Sequence, residues 1–110
     1  MSAASFRVLL KMTVNPGMAD GFIQAWAEHS SVVGEHPANR GHSLASSTEE
    51  DDVFYIVSDW TSEREFREFE DSPAHLEHRA RLHPFRSSGS IAFLELVAEA
   101  PAAGAARSRA

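Results

Sequence analysis

Residues Val53 to Trp60 form the stretch that most limits how this chain can fold. As a β-strand, the stretch has apolar side chains on both faces. One face carries Val53, Tyr55 and Val57, and the other carries Phe54, Ile56 and Trp60. A strand that is apolar on both faces has to be covered on both faces. Helices of the same chain can cover one face, and we expect a second copy of the chain to cover the other.

The composition of the 110-residue chain fits one globular domain with one core. No apolar run approaches the ~18 residues of a membrane span, and the first residues lack the pattern of a secretory signal. The net charge of −6 and the acidic cluster at residues 49–52 argue against nucleic acid and anionic membranes as partners. Since the chain also lacks cysteine, we expect a cytoplasmic protein without disulfides whose partners are small molecules or proteins.

Strand and helix signals alternate in the first half of the chain. Apolar side chains recur at every second position from Phe6 to Val14, which predicts a strand. The turn residues Asn15-Pro16-Gly17 end that strand. Apolar residues then recur at helical spacing from Met18 to Val33, which predicts a helix. Gly34 to Gly41 is predicted to be a loop, and His42 to Ser47 a strand.

Two helix start signals follow in the second half. Ser62 with Glu65 forms a capping-box pattern and predicts a short helix. Ser72 followed by proline predicts that a new helix begins there and runs from Pro73 to about His83. The apolar run from Ile91 to Val97 predicts the last strand.

The predicted order is therefore strand, helix, strand, strand, two-part helix, strand. This order indicates an α+β fold on the ferredoxin-like βαββαβ plan, with a four-stranded antiparallel sheet and helices on one face. The first and third strands are expected at the centre of the sheet. Residues 1–97 are predicted to form this single domain. Residues 98–110 form an Ala-rich C-terminal tail that we expect to be mobile or to lie on a partner subunit.

The chain has six histidines, and His75-x-x-His78 with His83 has the spacing of a possible metal site. No cysteine assists this group and no carboxylate sits at a convergent place, so we expect no metal ion. A glycine fingerprint for a dinucleotide or phosphate is missing, as is a G-x-S-x-G serine elbow. We therefore expect neither nicotinamide nor flavin, and no organic cofactor.

A pocket between the sheet and the helices is the remaining candidate site. Its predicted apolar wall consists of Phe22, Trp26, Ile56, Trp60, Phe66 and Phe69. Its predicted polar groups are His42, His75, His78, Arg79 and Arg86. The alternative is that the aromatic residues are plain core. Trp26 and Trp60 nevertheless combine a large flat ring with a polar end, which suits a flat aromatic ligand.

An ordered set of motifs runs along nearly the whole chain from Phe6 to Val97. The set comprises Gly41-His42, Ser58-Asp59-Trp60, Phe66, Ser72-Pro73-Ala74-His75, Pro84-Phe85-Arg86, Ser90 and Phe93. In these motifs the chain resembles the SchA/CurD-like proteins of actinomycete aromatic polyketide pathways. That family lies within the antibiotic biosynthesis monooxygenase superfamily of dimeric α+β barrels.

The resemblance implies a homodimer whose sheets pack face to face, with a pocket in each subunit for a polycyclic phenol or a nascent aromatic polyketide. It also implies quinone-forming oxygenation without metal or flavin, or the steering of ring closure. Trp60 and Arg79 fall where the anthrone-oxidising branch has a pocket tryptophan and arginine. Ile56 stands where that branch has asparagine and Phe66 where it has tyrosine, so its mechanism does not carry over intact.

A cofactor-free oxygenase needs a base to form a phenolate or enolate and a cationic group to hold the anion. We expect His75 or His42 to be the base and Arg79 or Arg86 the anion partner. The expected substrate-binding residues are Trp26, Ile56, Trp60, Phe66 and His78. A ring-closing cyclase needs the same base and cation, and a non-catalytic subunit of a polyketide synthase complex needs neither, so three functions stay open.

Overall fold

The structure is a computed structural model and describes residues 4–100. Four strands and four α-helices follow one another along this part of the chain. They are β1 (Phe6–Val14), α1 (Ala19–His29), α2 (Ser31–Gly34), β2 (Asn39–Ser46), β3 (Val53–Trp60), α3 (Glu63–Glu70), α4 (Pro73–Leu82) and β4 (Arg86–Glu95). A 3-10 turn, His83–Phe85, joins α4 to β4. No helix within residues 4–100 is both long and apolar enough to cross a bilayer.

The strands form one antiparallel sheet in the order β2-β3-β1-β4. The ferredoxin-like α+β fold is therefore confirmed, with the first and third strands at the centre. The predicted bounds of β1 and β3 are also confirmed. Register places Val8 of β1 and His42 of β2 on either side of Ser58 in β3. These three side chains therefore lie on the same face of the sheet.

Both predicted helix start signals in the second half are confirmed. The Ser62 hydroxyl accepts a hydrogen bond from the backbone N–H of Glu65 at 3.2 Å and donates to the Glu65 carboxylate at 3.1 Å. The Ser72 hydroxyl accepts from the backbone N–H of His75 at 3.3 Å and donates to the Phe69 carbonyl at 2.6 Å. Ser72 therefore both caps α4 and ties it to the end of α3, which sets where His75 lies.

Three element bounds differ from the prediction. The predicted helix from Met18 to Val33 divides at Ser30, whose hydroxyl bonds back to the Ala27 carbonyl at 3.4 Å. Such back-bonding bends helices, and the bend lets Val33 reach the core. The second strand begins three residues earlier than predicted, inside the segment predicted to be a loop.

The last strand shows the largest difference, because it begins at Arg86 and ends at Glu95 instead of running from Ile91 to Val97. The added segment, residues 86–90, is polar and weak in intrinsic strand preference. Pairing with β1 draws it into the sheet, with Ser90 opposite Lys11. Of the predicted tail, residues 98–100 carry neither helix nor strand, and residues 101–110 lie outside the described part of the chain.

The buried side chains between sheet and helices form two separate clusters. One contains Phe6, Val8, Val33, Ala38, Trp60, Phe66 and Phe69. The other contains Met12, Val14, Phe22, Phe54, Ile56 and Leu82. Along β1, Leu10 lies between Val8 of the first cluster and Met12 of the second, and it is only half-buried. The two clusters therefore leave a gap over the middle of the sheet.

The opposite face of the sheet carries a mixture of apolar and charged side chains. Leu9 and Val57 face each other at its centre and are half-buried. Beside them, the Arg7 guanidinium donates two hydrogen bonds to the Asp59 carboxylate, at 2.7 and 2.9 Å. All the helices that pack on the sheet in residues 4–100 lie on the other side. Coverage of this face by a second copy of the chain stays a prediction.

Candidate functional site

A cavity of about 300 Å³ fills the gap between the two core clusters. Its floor is the sheet and its roof is formed by α3 and α4. The sheet contributes Val8, Leu10, Met12, His42, Ile56, Ser58, Trp60, Arg86, Gly89, Ser90, Ile91 and Phe93. The rest of the lining is Val33, Phe66, Phe69, Glu70, His75, His78, Arg79, Leu82 and His83. The lining is thus mainly apolar, with a few polar groups that converge on one space.

Histidines from two elements meet at this cavity. His42 comes from β2, and its ring centroid lies 6.3 Å from that of His78 on α4. His75 lies one turn before His78 on the same helix, so both reach the same side of α4. The Ser72 cap fixes the first turn of α4 and therefore the position of His75. Within residues 4–100, no three histidine, aspartate or glutamate side chains converge as metal ligands would.

These histidines are uncharged at neutral pH. Burial lowers the pKa of His42 to about 4, although a backbone hydrogen bond with Ser30 opposes the shift. Burial also lowers the pKa of His78 to about 4, and the nearby His42 and His75 add to the effect. The pKa of His75 is lowered by burial and by the charge of Arg79. All three rings are therefore unprotonated at neutral pH, which is the form in which a histidine can act as a base.

One nitrogen of each ring lacks a hydrogen-bond partner. The Nδ1 atoms of His42, His75 and His78 are buried and unpaired within the described chain, as is Nε1 of Trp26. Unpaired polar atoms of this kind are rare in protein interiors, because leaving them unsatisfied is costly. The unpaired nitrogens of His42, His75 and His78 belong to three residues that line the same cavity.

Two arginines add positive charge to the cavity. Arg86 lies at the start of β4, and its Nε donates a hydrogen bond to Nδ1 of His83 at 3.2 Å. Its guanidinium also lies close to Gly89, where an added Cβ would be 2.8 Å from Nη1. Arg79 lies on the exposed part of α4 and still contributes to the lining. An anion in the cavity would therefore have a cation from the sheet and another from a helix.

The predicted apolar wall is present in part. Ile56, Trp60, Phe66 and Phe69 line the cavity. Trp60 is only 1% exposed, and its ring is held between Phe66 at 5.3 Å and Phe69 at 5.0 Å. Its Nε1 donates a hydrogen bond to the Ser58 hydroxyl at 2.9 Å. The indole therefore adds apolar surface to the wall, while its N–H is already paired.

Two residues predicted for the wall lie elsewhere. Phe22 is fully buried in the second core cluster and does not line the cavity. Trp26 also lies outside the lining and packs against His42, with ring centroids 4.9 Å apart. The reason for both is that α1 covers the far end of the sheet, next to Phe54 and Phe85. Trp26 therefore packs against the His42 ring without contributing to the cavity lining.

All the other predicted site residues line the cavity, namely His42, His75, His78, Arg79, Arg86, Ile56, Trp60, Phe66 and Phe69. Among the polar lining residues, the sequence reasoning missed Ser58, Glu70, His83 and Ser90. Ser58 had a detectable signal, because strand alternation puts it on the same face as Ile56 and Trp60. Together the groups of the cavity can take a proton from a flat phenolic molecule and hold the resulting anion away from bulk water.

Solved structures with the same fold have low sequence identity to this chain. SnoaB, a cofactor-independent oxygenase from Streptomyces nogalater, has a TM-score of 0.77 at 19% identity, over 91% of this chain and 100% of that one. A conserved protein from Methanosarcina mazei Go1 has a TM-score of 0.76 at 14% identity, covering 83% and 91% of the two chains. PA3566 from Pseudomonas aeruginosa has a TM-score of 0.74 at 12% identity, covering 89% and 99%.

These likenesses show the shared fold. No curated protein matches the chain in sequence. A family model does match, and it spans residues 5–81, which include the first three strands, α1 to α3 and most of α4. The chain belongs to the antibiotic biosynthesis monooxygenase family.

Proposed function

We propose that this protein is a cofactor-independent monooxygenase that converts a polycyclic phenol of an aromatic polyketide pathway to a quinone or a hydroxylated product. The observation that carries the proposal is the meeting of uncharged histidines and two arginines in one apolar cavity. The family and the likeness in fold to SnoaB, a cofactor-independent oxygenase, support the same reaction class. The resemblance to SchA/CurD-like proteins supports the substrate class.

The proposed reaction can be written for anthrone as a simple case. A neutral histidine, His42 or His75, takes a proton from the carbon opposite the carbonyl and leaves an enolate. The enolate passes one electron to O₂, and the resulting radical and superoxide combine to form a peroxide. The histidine returns its proton to the peroxide, which then loses water to give the quinone. One oxygen atom of O₂ enters the product and the other leaves as water.

The arginines stabilise the anion in this scheme. Charge on the enolate oxygen develops in a site where apolar walls exclude water, so a guanidinium there stabilises it more than in solution. Arg86 is held in place by His83, and Arg79 lies next to His75. Removing both cations should therefore slow proton removal far more than it weakens binding of the neutral substrate.

Oxygen consumption with anthrone tests the proposal. The purified protein should consume O₂ above the rate of uncatalysed oxidation, and ¹⁸O₂ should place one labelled oxygen in the anthraquinone. We expect His42→Gln/His75→Gln and Arg79→Gln/Arg86→Gln to lose on the order of 10²-fold or more in rate. His29→Gln and Arg64→Gln are matched controls, because neither residue lines the cavity.

Two results would contradict oxygenation. One is an absence of O₂ uptake above background with anthrone and with related phenols. The other is the anaerobic conversion of a linear polyketide analogue to a cyclised product, which would identify a cyclase. If all four substitutions at His42, His75, Arg79 and Arg86 left the products unchanged, a non-catalytic role would be favoured.

A further inference from the structure

We propose that Ser58 is the hydrogen-bond donor that holds the oxygen of a phenol or phenolate bound in the cavity. Ser58 would serve the same cavity and substrate class as the proposed function, on which this assignment rests. The assignment comes from the surroundings of a single buried hydroxyl near the end of β3.

Ser58 lies on the cavity floor, between the neighbouring strands β1 and β2. It pairs with Val8 on one side and with His42 on the other, and it is 7% exposed. Its side chain lines the cavity beside His42, one of the two candidate bases. Ser58 and His42 are therefore cross-strand neighbours on the floor of the same cavity.

The hydrogen bond from Trp60 determines which hydrogen-bonding role is left to the Ser58 hydroxyl. Indole nitrogen is a donor only, so the Ser58 oxygen accepts in this bond. A serine hydroxyl has one hydrogen to donate and two lone pairs to accept with. Since Trp60 occupies one lone pair and its ring is fully buried, the Ser58 hydrogen is left to point elsewhere.

This hydrogen has no acceptor within residues 4–100, where the Ser58 side chain makes a single hydrogen bond, the one from Trp60. The nearest cross-strand candidate, Nδ1 of His42, is unpaired and therefore does not take it. A buried donor without an acceptor is costly, and a ligand oxygen removes that cost. A phenolate oxygen gains most, because hydrogen bonds to charged acceptors are the stronger ones.

No other side chain on this face of β3 can make the same contact. Phe54 and Ile56 have no polar atoms, and the Trp60 N–H is already paired with Ser58. Ser58 is therefore the one β3 side chain with a donor free for the cavity. The competing explanation is that Ser58 only satisfies the Trp60 indole, and a suitable set of variants separates the two roles.

The test uses 2-hydroxyanthraquinone, whose single phenol changes absorbance when it ionises. The pH at which the bound probe ionises is compared among wild type, Ser58→Ala, Ser58→Thr, Trp60→Phe and the double variant Ser58→Ala/Trp60→Phe. Ser58→Thr keeps the hydroxyl. The double variant removes both partners of the hydrogen bond and so leaves no unpaired indole, which keeps the comparison valid if Ser58→Ala alone fails to fold.

We expect the ionisation constant of the bound phenol to fall about tenfold in Ser58→Ala and to stay at the wild-type value in Ser58→Thr. We also expect this constant to be lower in the double variant than in Trp60→Phe, because only the double variant lacks the Ser58 hydroxyl. Equal constants in Trp60→Phe and the double variant would overturn the proposal, as would a wild-type protein that does not bind the probe. A Ser58-dependent shift without O₂ uptake from anthrone would uphold Ser58 and contradict the proposed oxygenation. O₂ uptake with no Ser58-dependent shift would support the oxygenation and contradict the role of Ser58.

Discussion

The guanidinium of Arg86 lies so close to Gly89 that a Cβ atom added to Gly89 would stand 2.8 Å from Nη1. The same Cβ would stand 3.3 Å from the backbone carbonyl oxygen of Lys11. The carbonyl belongs to the neighbouring strand and cannot move, so the side chain of Arg86 has to give way. The absence of a side chain at residue 89 therefore lets Arg86 lie along β4 toward the cavity.

We expect Gly89→Ala to displace the Arg86 guanidinium while the sheet stays folded. If Arg86 holds the anion, the variant should bind the phenolate of 2-hydroxyanthraquinone about tenfold more weakly, as expected for the loss of one charge-assisted hydrogen bond. Titration of probe fluorescence or absorbance at high pH measures this. Gly41→Ala is the matched control, since a Cβ at Gly41 meets nothing within 4 Å. Equal weakening in both variants would argue against a special role for Gly89.

The stability of the protein should depend on pH through His42 and His78. Burial lowers their folded-state pKa to about 4, whereas the ordinary value is 6.5. Between about pH 4 and pH 6.5, the two histidines bind more protons in the unfolded chain than in the folded chain. The free energy of unfolding therefore falls as the pH is lowered through this range. We expect this loss to be at most about 2 kcal/mol for each of the two histidines between pH 7 and pH 5, measured by urea denaturation.

The variant His42→Gln/His78→Gln should lose most of this pH dependence, because glutamine does not titrate. His29→Gln, in the last turn of α1, should keep it. An unchanged slope in the double variant would show that other groups cause the acid sensitivity.

The fold was predictable because its signals are local. Alternation in Phe6 to Val14 and Val53 to Trp60, and the serine caps at Ser62 and Ser72, each specify an element without reference to the rest of the chain. The start of β4 carries no such signal. Its polar residues become a strand only because β1 offers an unpaired edge, which is a property of the assembled sheet.

The residue types of the candidate site were predictable from the sequence, whereas the contacts that individual side chains make were less so. Histidines and arginines on the strand and helix faces toward the core had to meet somewhere between sheet and helices. That Trp26 packs against the His42 ring instead of lining the cavity depends on how α1 lies on the sheet, which helical spacing alone does not specify. The hydrogen bond that the Trp60 N–H donates to the Ser58 hydroxyl depends on the rotamers of both side chains, which strand periodicity does not specify.

Two glycines in helices should respond to alanine in opposite directions. A Cβ at Gly21 of α1 would lie 2.9 Å from the Phe85 ring, whereas a Cβ at Gly34 of α2 meets nothing within 4 Å. Alanine favours helix over glycine by up to ~1 kcal/mol, so Gly34→Ala should be neutral or stabilising. Overpacking typically costs about 1–3 kcal/mol, so Gly21→Ala should lower the free energy of unfolding despite the helix preference. Urea denaturation measures both, and a stabilised Gly21→Ala would show that Phe85 moves aside freely.

The sheet face that carries Leu9 and Val57 leads us to expect a homodimer formed through that face. Wild-type protein should sediment as a dimer at micromolar concentration. Val57→Glu places a carboxylate opposite Leu9 at the centre of the face. Burying this charge without a partner should weaken the dimer by about a hundredfold or more. Ile23→Glu is the matched control, because Ile23 is an exposed apolar residue on α1. The dimer arrangement is contradicted if wild type sediments as a monomer, or if Val57→Glu and Ile23→Glu dissociate to the same extent.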